Sequence, residues 1–341
     1  MKAVLCREWG GPECLIVADV ASREPQPFEV RVRVCAAGIN YTDVLIIQKR
    51  YQLQPPLPFT PGVEAAGVVV AVGSGVTGLA PGMRVGCLSV TGGFAEELVL
   101  PADACFPLPD SVSFEDAAVL PASYGTAWHA LHDRGAAQAG ETVLVLGAAG
   151  GVGLAAIQIA KALGAHVIAA ASSREKLDVC LAHGADAGID YRTEDLRASL
   201  SRHTSGRGPD LIVDPVGGAL SEAAFRSVAR GGRHLVIGFA AGGIPALPWN
   251  LLLLKNAAIV GVYWGDCVRH QTQRAQRQMA TLHEAVAQGR LVPVITHRHT
   301  LEDVPRALTV MQARGAVGKG VVVLEPAPDA GAANASARAA H

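Results

Sequence analysis

Residues 142–160 read TVLVLGAAGGVGLAAIQIA, and this stretch decides the fold. An apolar, β-branched run stops at glycines, and an apolar pattern of helical period follows at once. The pattern predicts a strand, a tight turn and a helix start. The turn reads Ala148-x-Gly150-x-x-Gly153, the dinucleotide fingerprint with alanine in the first glycine's place. Glycines there let the backbone approach a pyrophosphate, whose charge rests on the free N–H groups of the helix start. Ala148, Gly150, Gly151, Val152 and Gly153 are therefore candidate cofactor contacts. The run is uncharged over 19 residues, long enough to suggest a membrane span. Its central glycines and the change from strand to helix period argue against one.

A chain of 341 residues suggests two domains, and with only 17% charged residues it can bury a large core. The formal net charge of −1 calls for neither nucleic acid nor an anionic membrane surface as partner. The seven cysteines (6, 14, 35, 87, 105, 180 and 267) are scattered, with no Cys-x-x-Cys pair. They read as reduced thiols rather than a disulfide framework or a zinc module. The start, MKAVLCREWGG, lacks the apolar region of a signal peptide, so the expectation is a soluble cytoplasmic protein. The alanine-rich stretch 327–341 is expected to be disordered.

Residues before position 120 read as β-rich, with strict alternation at 30–35 (VRVRVC) and a buried-type strand at 67–72 (GVVVAV). Residues 114–132 read as helical, with Ser113 as the cap. Strands then alternate with helices: strands at 142–146, 166–170, 211–214, 234–238 and 258–263, helices at 151–163, 174–183, 219–228 and 271–288. That alternation gives a parallel sheet covered by helices. A helix near 302–314 and a strand at 320–324 follow.

The second strand of such a sheet ends beside the adenosine ribose, where an acidic residue favours NAD. Here it continues Ser172-Ser173-Arg174-Glu175-Lys176, with no carboxylate at the strand end itself. Ser172, Ser173, Arg174 and Lys176 suit a 2′-phosphate through hydrogen bonds and charge, so NADPH is the expected cofactor. Tyr191 and Arg192 are placed to flank the adenine or its phosphate. Gly238 and Phe239 end the fourth strand of the sheet, where the nicotinamide half is expected.

Four stretches, AAGINYTD at 36–43, PFTPGVEAAGVVVAVGSG at 58–75, PGMRV at 81–85 and the glycine turn, resemble the medium-chain dehydrogenase/reductase superfamily. Within it the chain resembles the zinc-free NADPH:quinone oxidoreductases. The resemblance implies a GroES-like β-rich catalytic domain (1–122), a Rossmann domain with a doubly wound parallel sheet (123–265), and a C-terminal return to the first domain (266–326). It also implies a homodimer paired through the last strand of the nucleotide sheet. In the zinc-dependent branch the ligand positions hold cysteine, histidine and cysteine. Here they hold Asn40, Val63 and a residue near Ala122, so no zinc is expected.

A metal-free reductase must polarise its acceptor with hydrogen bonds and supply a proton. Asn40, after a glycine at a strand end, is a candidate to anchor the nicotinamide ribose or the substrate carbonyl. Tyr51 is the candidate proton donor, in a stretch similar to that of the enoyl-thioester reductases. Thr126 matches the family position that contacts the nicotinamide ribose. Gly318-Lys319 and Lys255-Asn256 also match the family pattern and are expected near the cleft. The expected substrates are small quinones or enones. The alternatives are an acyl-thioester reductase, with Arg269, Arg274 and Arg277 on one helix as a landing surface for carrier phosphates, and a cofactor-binding protein without turnover.

Overall fold

The structure is a computed structural model, and it describes residues 1–324. The predicted tail at 327–341 lies outside the described residues. Strands β1 (Lys2–Cys6), β2 (Leu15–Asp19), β3 (Glu29–Gly38), β4 (Glu64–Val72), β5 (Arg84–Leu88), β6 (Glu97–Pro101) and β7 (Cys105–Pro107) form the β-rich part. Next come β8 (Thr142–Leu146), β9 (His166–Ala171), β10 (Ala187–Asp190), β11 (Leu211–Asp214), β12 (Arg233–Val236) and β13 (Ala258–Gly261). The last two, β14 (Ile295–His299) and β15 (Lys319–Val323), return to the first sheet.

The six later strands lie in the order β10-β9-β8-β11-β12-β13, and every pairing is parallel. This is the doubly wound arrangement, whose order reverses between β8 and β11. Ligands in such sheets sit outside the carboxyl ends of the strands at that point. Val143 and Val145 on one face of β8, and Leu144 and Leu146 on the other, enter separate buried clusters. A sheet covered on both faces needs apolar residues at every position, and β8 is buried throughout.

The first sheet runs β14-β15-β3-β4-β5-β7, with β6 also paired to β3. The long β3 alternates as expected, and Val30, Val32 and Val34 lie in the barrel core. Strand β15 pairs antiparallel with β3, Val321 opposite Gly38. This pairing brings the start of β15, Lys319, beside the end of β3, where Asn40 follows.

The stretch expected to be helical at 114–132 is helical, and the structure adds a change of winding within it. Helical turns at Phe114–Val119 and Gly125–Trp128 alternate with π-helical turns at Leu120–Tyr124 and His129–Arg134. Pro121 has no N–H to give, and the Ala122 N–H donates to Glu64 Oε2 at 2.7 Å. The Pro121 carbonyl accepts from Trp264 Nε1 at 2.7 Å. The helix widens where its backbone groups are drawn to other elements. Ser113 caps it as expected, accepting from the Asp116 N–H at 3.0 Å.

Candidate active site

A cleft of about 1850 Å³ runs from the carboxyl ends of the nucleotide sheet to the end of β3. At its base lies a buried polar cluster. Lys319, 3% exposed, donates to Glu64 Oε1 at 2.7 Å, to Asn40 Oδ1 at 2.7 Å and to the Ile39 carbonyl at 2.9 Å. An ammonium has three donors, so all are used. Glu64 Oε1 also accepts from Asn40 Nδ2 at 2.8 Å. Gly38 leaves the room for this carboxylate, because a Cβ there would lie 2.3 Å from Glu64 Oε1.

The cluster fixes how Asn40 can act. Its amide nitrogen donates to Glu64 and to the Gly38 carbonyl at 3.2 Å, and its oxygen faces an ammonium that accepts nothing. Only a lone pair of Oδ1 is left for a ligand. Asp43, fully buried, anchors the same corner. Its oxygens accept the Asn40 N–H at 2.8 Å and the Val63 N–H at 3.1 Å. Burial pushes the Asp43 carboxyl up to about 7, against the pull of those hydrogen bonds and of Lys319.

The glycine turn sits directly above. Its left-handed residue is Gly147 (φ +58°), so Ala148 is tolerated in the fingerprint's first place. Gly153 meets the turn's backbone closely, since a Cβ would lie 2.5 Å from the Ala148 carbonyl oxygen. A Cβ on Gly151 would lie 2.6 Å from Lys319 Cδ and 2.8 Å from Ser123 Oγ. The Gly318 N–H donates to the Ala149 carbonyl at 2.8 Å. Residues 318 and 319 therefore clamp the turn to the Asn40 corner. Helix Gly151–Ala162 starts here with Gly150 as cap, so its first N–H groups are free for an anion.

Of the candidates, Gly150, Gly151, Val152 and Gly153 line the cleft. So do Ser172, Ser173 and Lys176 after β9, Tyr191 and Arg192 after β10, and Gly238 and Phe239 beyond β12. Asn40, Tyr51 and Thr126 line it too. Ala148 is buried beneath the turn and is not a lining residue. Arg174 is turned away, its Nε donating to Asp178 at 2.8 Å. Lys255 is likewise absent from the cleft, spent on the carbonyls of Arg226 and Val228.

Two further clusters share the cleft. Tyr51, in the loop after helix Tyr41–Ile47, lines the cleft together with Tyr263, just past β13. Arg269 Nη2 donates to the Tyr263 hydroxyl at 3.0 Å. Asp133 accepts from Arg274 at 2.8 Å and lies 2.8 Å from His129 Nδ1 and 3.2 Å from that of His132. Burial pushes Asp133 up, but these partners outweigh it and hold the carboxyl below its usual range. The three arginines expected on one helix are divided between Trp264–His270 and Thr272–Ala287. Arg269 and Arg274 are engaged as described, and Arg277 does not line the cleft.

Residues 26–110 match the alcohol dehydrogenase GroES-like domain, and residues 151–281 the domain described as zinc-binding dehydrogenase. Quinone oxidoreductase-like protein 2 of Bos taurus is 39% identical over 325 residues, 95% of this chain and 93% of that protein. The chain belongs to the quinone oxidoreductase family of the medium-chain dehydrogenase/reductase superfamily. Quinone oxidoreductase of Rattus norvegicus, another member, is 33% identical over 95% of this chain and 98% of its own. The crystal structure of Escherichia coli quinone oxidoreductase complexed with NADPH superposes with a TM-score of 0.89 at 29% identity, covering 95% of this chain and all of that one. For this family member the residues that sequence reasoning undervalued are Glu64, Lys319, Tyr263 and Arg314. Arg314 lines the cleft from the far side, and its carbonyl accepts from Lys176 Nζ at 2.9 Å.

Proposed function

We propose that this chain is a zinc-independent, NADPH-dependent oxidoreductase that transfers hydride to quinones or related α,β-unsaturated carbonyl compounds. The observation that carries this reading is the Lys319 ammonium held between Glu64 and Asn40 at 2.7 Å from each. The zinc-dependent branch places its ligands at Asn40, Val63 and Ala122. Val63 and Ala122 have no ligating atom, and the Asn40 amide is engaged. A dication there would face a buried ammonium, so the residues present do not fit zinc.

They do fit a dinucleotide phosphate. The pyrophosphate suits the free N–H groups at Gly151, Val152 and Gly153. Around the end of β9, Ser172, Ser173, Lys176, Tyr191, Arg192 and Arg314 offer hydroxyls and cations to a 2′-phosphate. Among the described residues, the carboxylates lining the cleft are Asp133 and Asp266, neither of them beside β9. NADPH, when bound, supplies the hydride. Asn40 Oδ1 accepts from the nicotinamide ribose, because its amide hydrogens are committed. Thr126 contributes a second ribose contact. Tyr51 hydrogen-bonds the substrate carbonyl and delivers the proton. Arg269 and Arg274 are engaged within the protein and Arg277 lies off the cleft, so the three do not form one landing surface at the site, which disfavours the thioester reading.

The assembly we propose is a cytoplasmic homodimer. Strand β13 leaves one edge of the sheet open with Ile259 exposed on it, and Trp249, Leu253 and Leu254 are exposed in the segment that precedes it in the chain. Among the described residues, no helix is long and apolar enough to cross a membrane.

The test is NADPH oxidation in EDTA with 1,4-benzoquinone, 9,10-phenanthrenequinone, a simple enone and crotonyl-CoA, repeated with NADH. The expected result is EDTA-insensitive turnover with NADPH and a quinone or enone. Loss of activity in EDTA would overturn zinc independence. Preference for crotonyl-CoA by orders of magnitude would overturn the substrate class.

A further inference from the structure

Cys87 on β5 and Cys105 on β7 face each other inside the barrel core, 0% and 1% exposed, with their sulfurs 3.8 Å apart. The register makes them direct cross-strand partners: Val85 pairs with Pro107, Gly86 with Phe106 and Cys87 with Cys105. Antiparallel partners alternate between hydrogen-bonded and non-hydrogen-bonded pairs. One step along, the Leu108 N–H donates to the Arg84 carbonyl at 3.0 Å, which makes that pair a hydrogen-bonded one. By alternation, Val85–Pro107 and Cys87–Cys105 are of the other kind. Pro107, with no N–H to give, suits such a place. The carbonyls of Cys105 and Pro107 accordingly turn away from β5. They accept from Gln276 Nε2 at 2.9 Å and from His283 Nδ1 at 3.1 Å, both on helix Thr272–Ala287.

We propose that Cys87 and Cys105 are a redox modification site, which a hydroperoxide oxidises to a reversible disulfide that staples β7 to β5. Non-hydrogen-bonded partners have Cα atoms about 4.5 Å apart, within the range of about 4.4–6.8 Å that a disulfide spans. The sulfurs have to approach by roughly 1.8 Å to reach a bond of about 2.05 Å. Side-chain rotation supplies most of this, because the backbone separation already fits.

Both thiols are enclosed, so a peroxide reaches them when β7 opens. That strand is three residues long and ends the sheet, so its opening is a local event. With hydrogen peroxide, one thiolate attacks the O–O bond, giving a sulfenic acid and water. The second thiolate then attacks that sulfur, and the S–O bond breaks as the S–S bond forms. The sulfurs lose two electrons, the peroxide gains them, and both thiol protons leave in the two waters. A dithiol reverses the change by exchange. The bridge joins residues 18 positions apart and fixes the strand against which helix Thr272–Ala287 rests, so the oxidised protein resists unfolding.

The experiment treats the folded protein with hydrogen peroxide, in urea from zero to just below the unfolding transition. Remaining thiols are then blocked and non-reduced peptides mapped by mass spectrometry. The expected product is a peptide pair joined through Cys87 and Cys105, lighter by two hydrogens than its parts. It should form throughout this range, faster as urea rises, and dithiothreitol should restore all seven thiols. Oxidation should raise the urea midpoint by roughly 0.5–1 M, and reduction should return it. Peroxide should give Cys105→Ala no such rise. If that variant does not fold, the mapping and the reversal by dithiothreitol in wild type carry the test. Absence of the joined peptide below the unfolding transition overturns the proposal. So does sulfinic acid at either cysteine in place of the bridge, a bridge that lowers the midpoint, or a peroxide-induced rise in Cys105→Ala. None of these readouts uses turnover, so they stand apart from the identity of the acceptor.

Discussion

Lys319 Nζ lies 2.7 Å from Asn40 Oδ1, and this contact leaves the Asn40 amide only one way round. Replacing Lys319 by methionine should strand a buried carboxylate. Loss of one partner from a buried pair typically costs about 3–5 kcal/mol, so Lys319→Met should show a large drop in urea midpoint. The double variant Glu64→Gln/Lys319→Met should recover most of that stability, because neither charge remains. It should still bind NADPH with a raised KM, since nothing then fixes the amide.

Asp43 accepts one backbone N–H on each oxygen, from Asn40 and from Val63. Asparagine must turn an NH₂ toward one of them, so Asp43→Asn should cost about 1–3 kcal/mol at low pH. The pH sign is specific. The folded carboxyl is pushed up to about 7 from an ordinary 3.8, so the unfolded chain loses this proton first as pH rises. The group's stabilising contribution is complete below 3.8 and is lost as pH rises through about 7. Urea denaturation across that window should show a fall in wild type that Asp43→Asn lacks.

His283 makes the opposite prediction. Its Nδ1 donates to the Pro107 carbonyl at 3.1 Å, while its buried Nε2 has no partner. Burial lowers the imidazole from 6.5 to about 4. Its contribution is present above 6.5 and lost as pH falls through about 4. By linkage this amounts to roughly 3 kcal/mol at most. His283→Gln should flatten that part of the acid limb in denaturation curves.

Lys176 and Arg192 line the cleft, whereas Arg174 pairs with Asp178. Lys176→Ala and Arg192→Ala should each raise the KM for NADPH about tenfold, near 1.4 kcal/mol, with little change for NADH. Arg174→Ala should leave both nearly unchanged. Equal losses for the two cofactors would show that these cations do not read the 2′-phosphate.

Ile259, on the open edge strand β13, is 40% exposed, and Trp249, at the start of helix Asn250–Lys255, is 83% exposed. A Trp249→Glu/Ile259→Lys variant should run as a monomer in sedimentation if that edge pairs with a second copy. An unchanged sedimentation coefficient would remove the edge as the interface.

The nucleotide sheet was legible in the sequence because its signals are local. Period, glycine spacing and cap residues lie within a few positions of one another in 142–160 and at Ser113 and Ser173. Strand β10 and helix Leu196–His203 were missed, because AGID and LRASLSRH carry little apolar periodicity. The site was half legible. Asn40 follows the end of a recognisable strand and Thr126 rests on the resemblance, but the partners that fix Asn40 come from distant chain. Lys319 and Glu64 are 255 positions apart, and only the antiparallel pairing of β15 with β3 brings them together. The same distance hid the π-helical turns at 120–124, which arise from contacts with Glu64 and Trp264.

That separation has a consequence for synthesis. Most of the nucleotide sheet is made well before residue 319 leaves the ribosome, and a parallel sheet can begin to form as its strands emerge. Until β15 docks, the Asn40 corner holds an acidic residue without its counter-ion, and the glycine turn lacks the Gly318 clamp. A nascent or truncated chain ending before that strand would present a nearly complete domain with an unfinished floor. Competence would arrive in a single late step, set by the release of one strand rather than by the slow consolidation of either core.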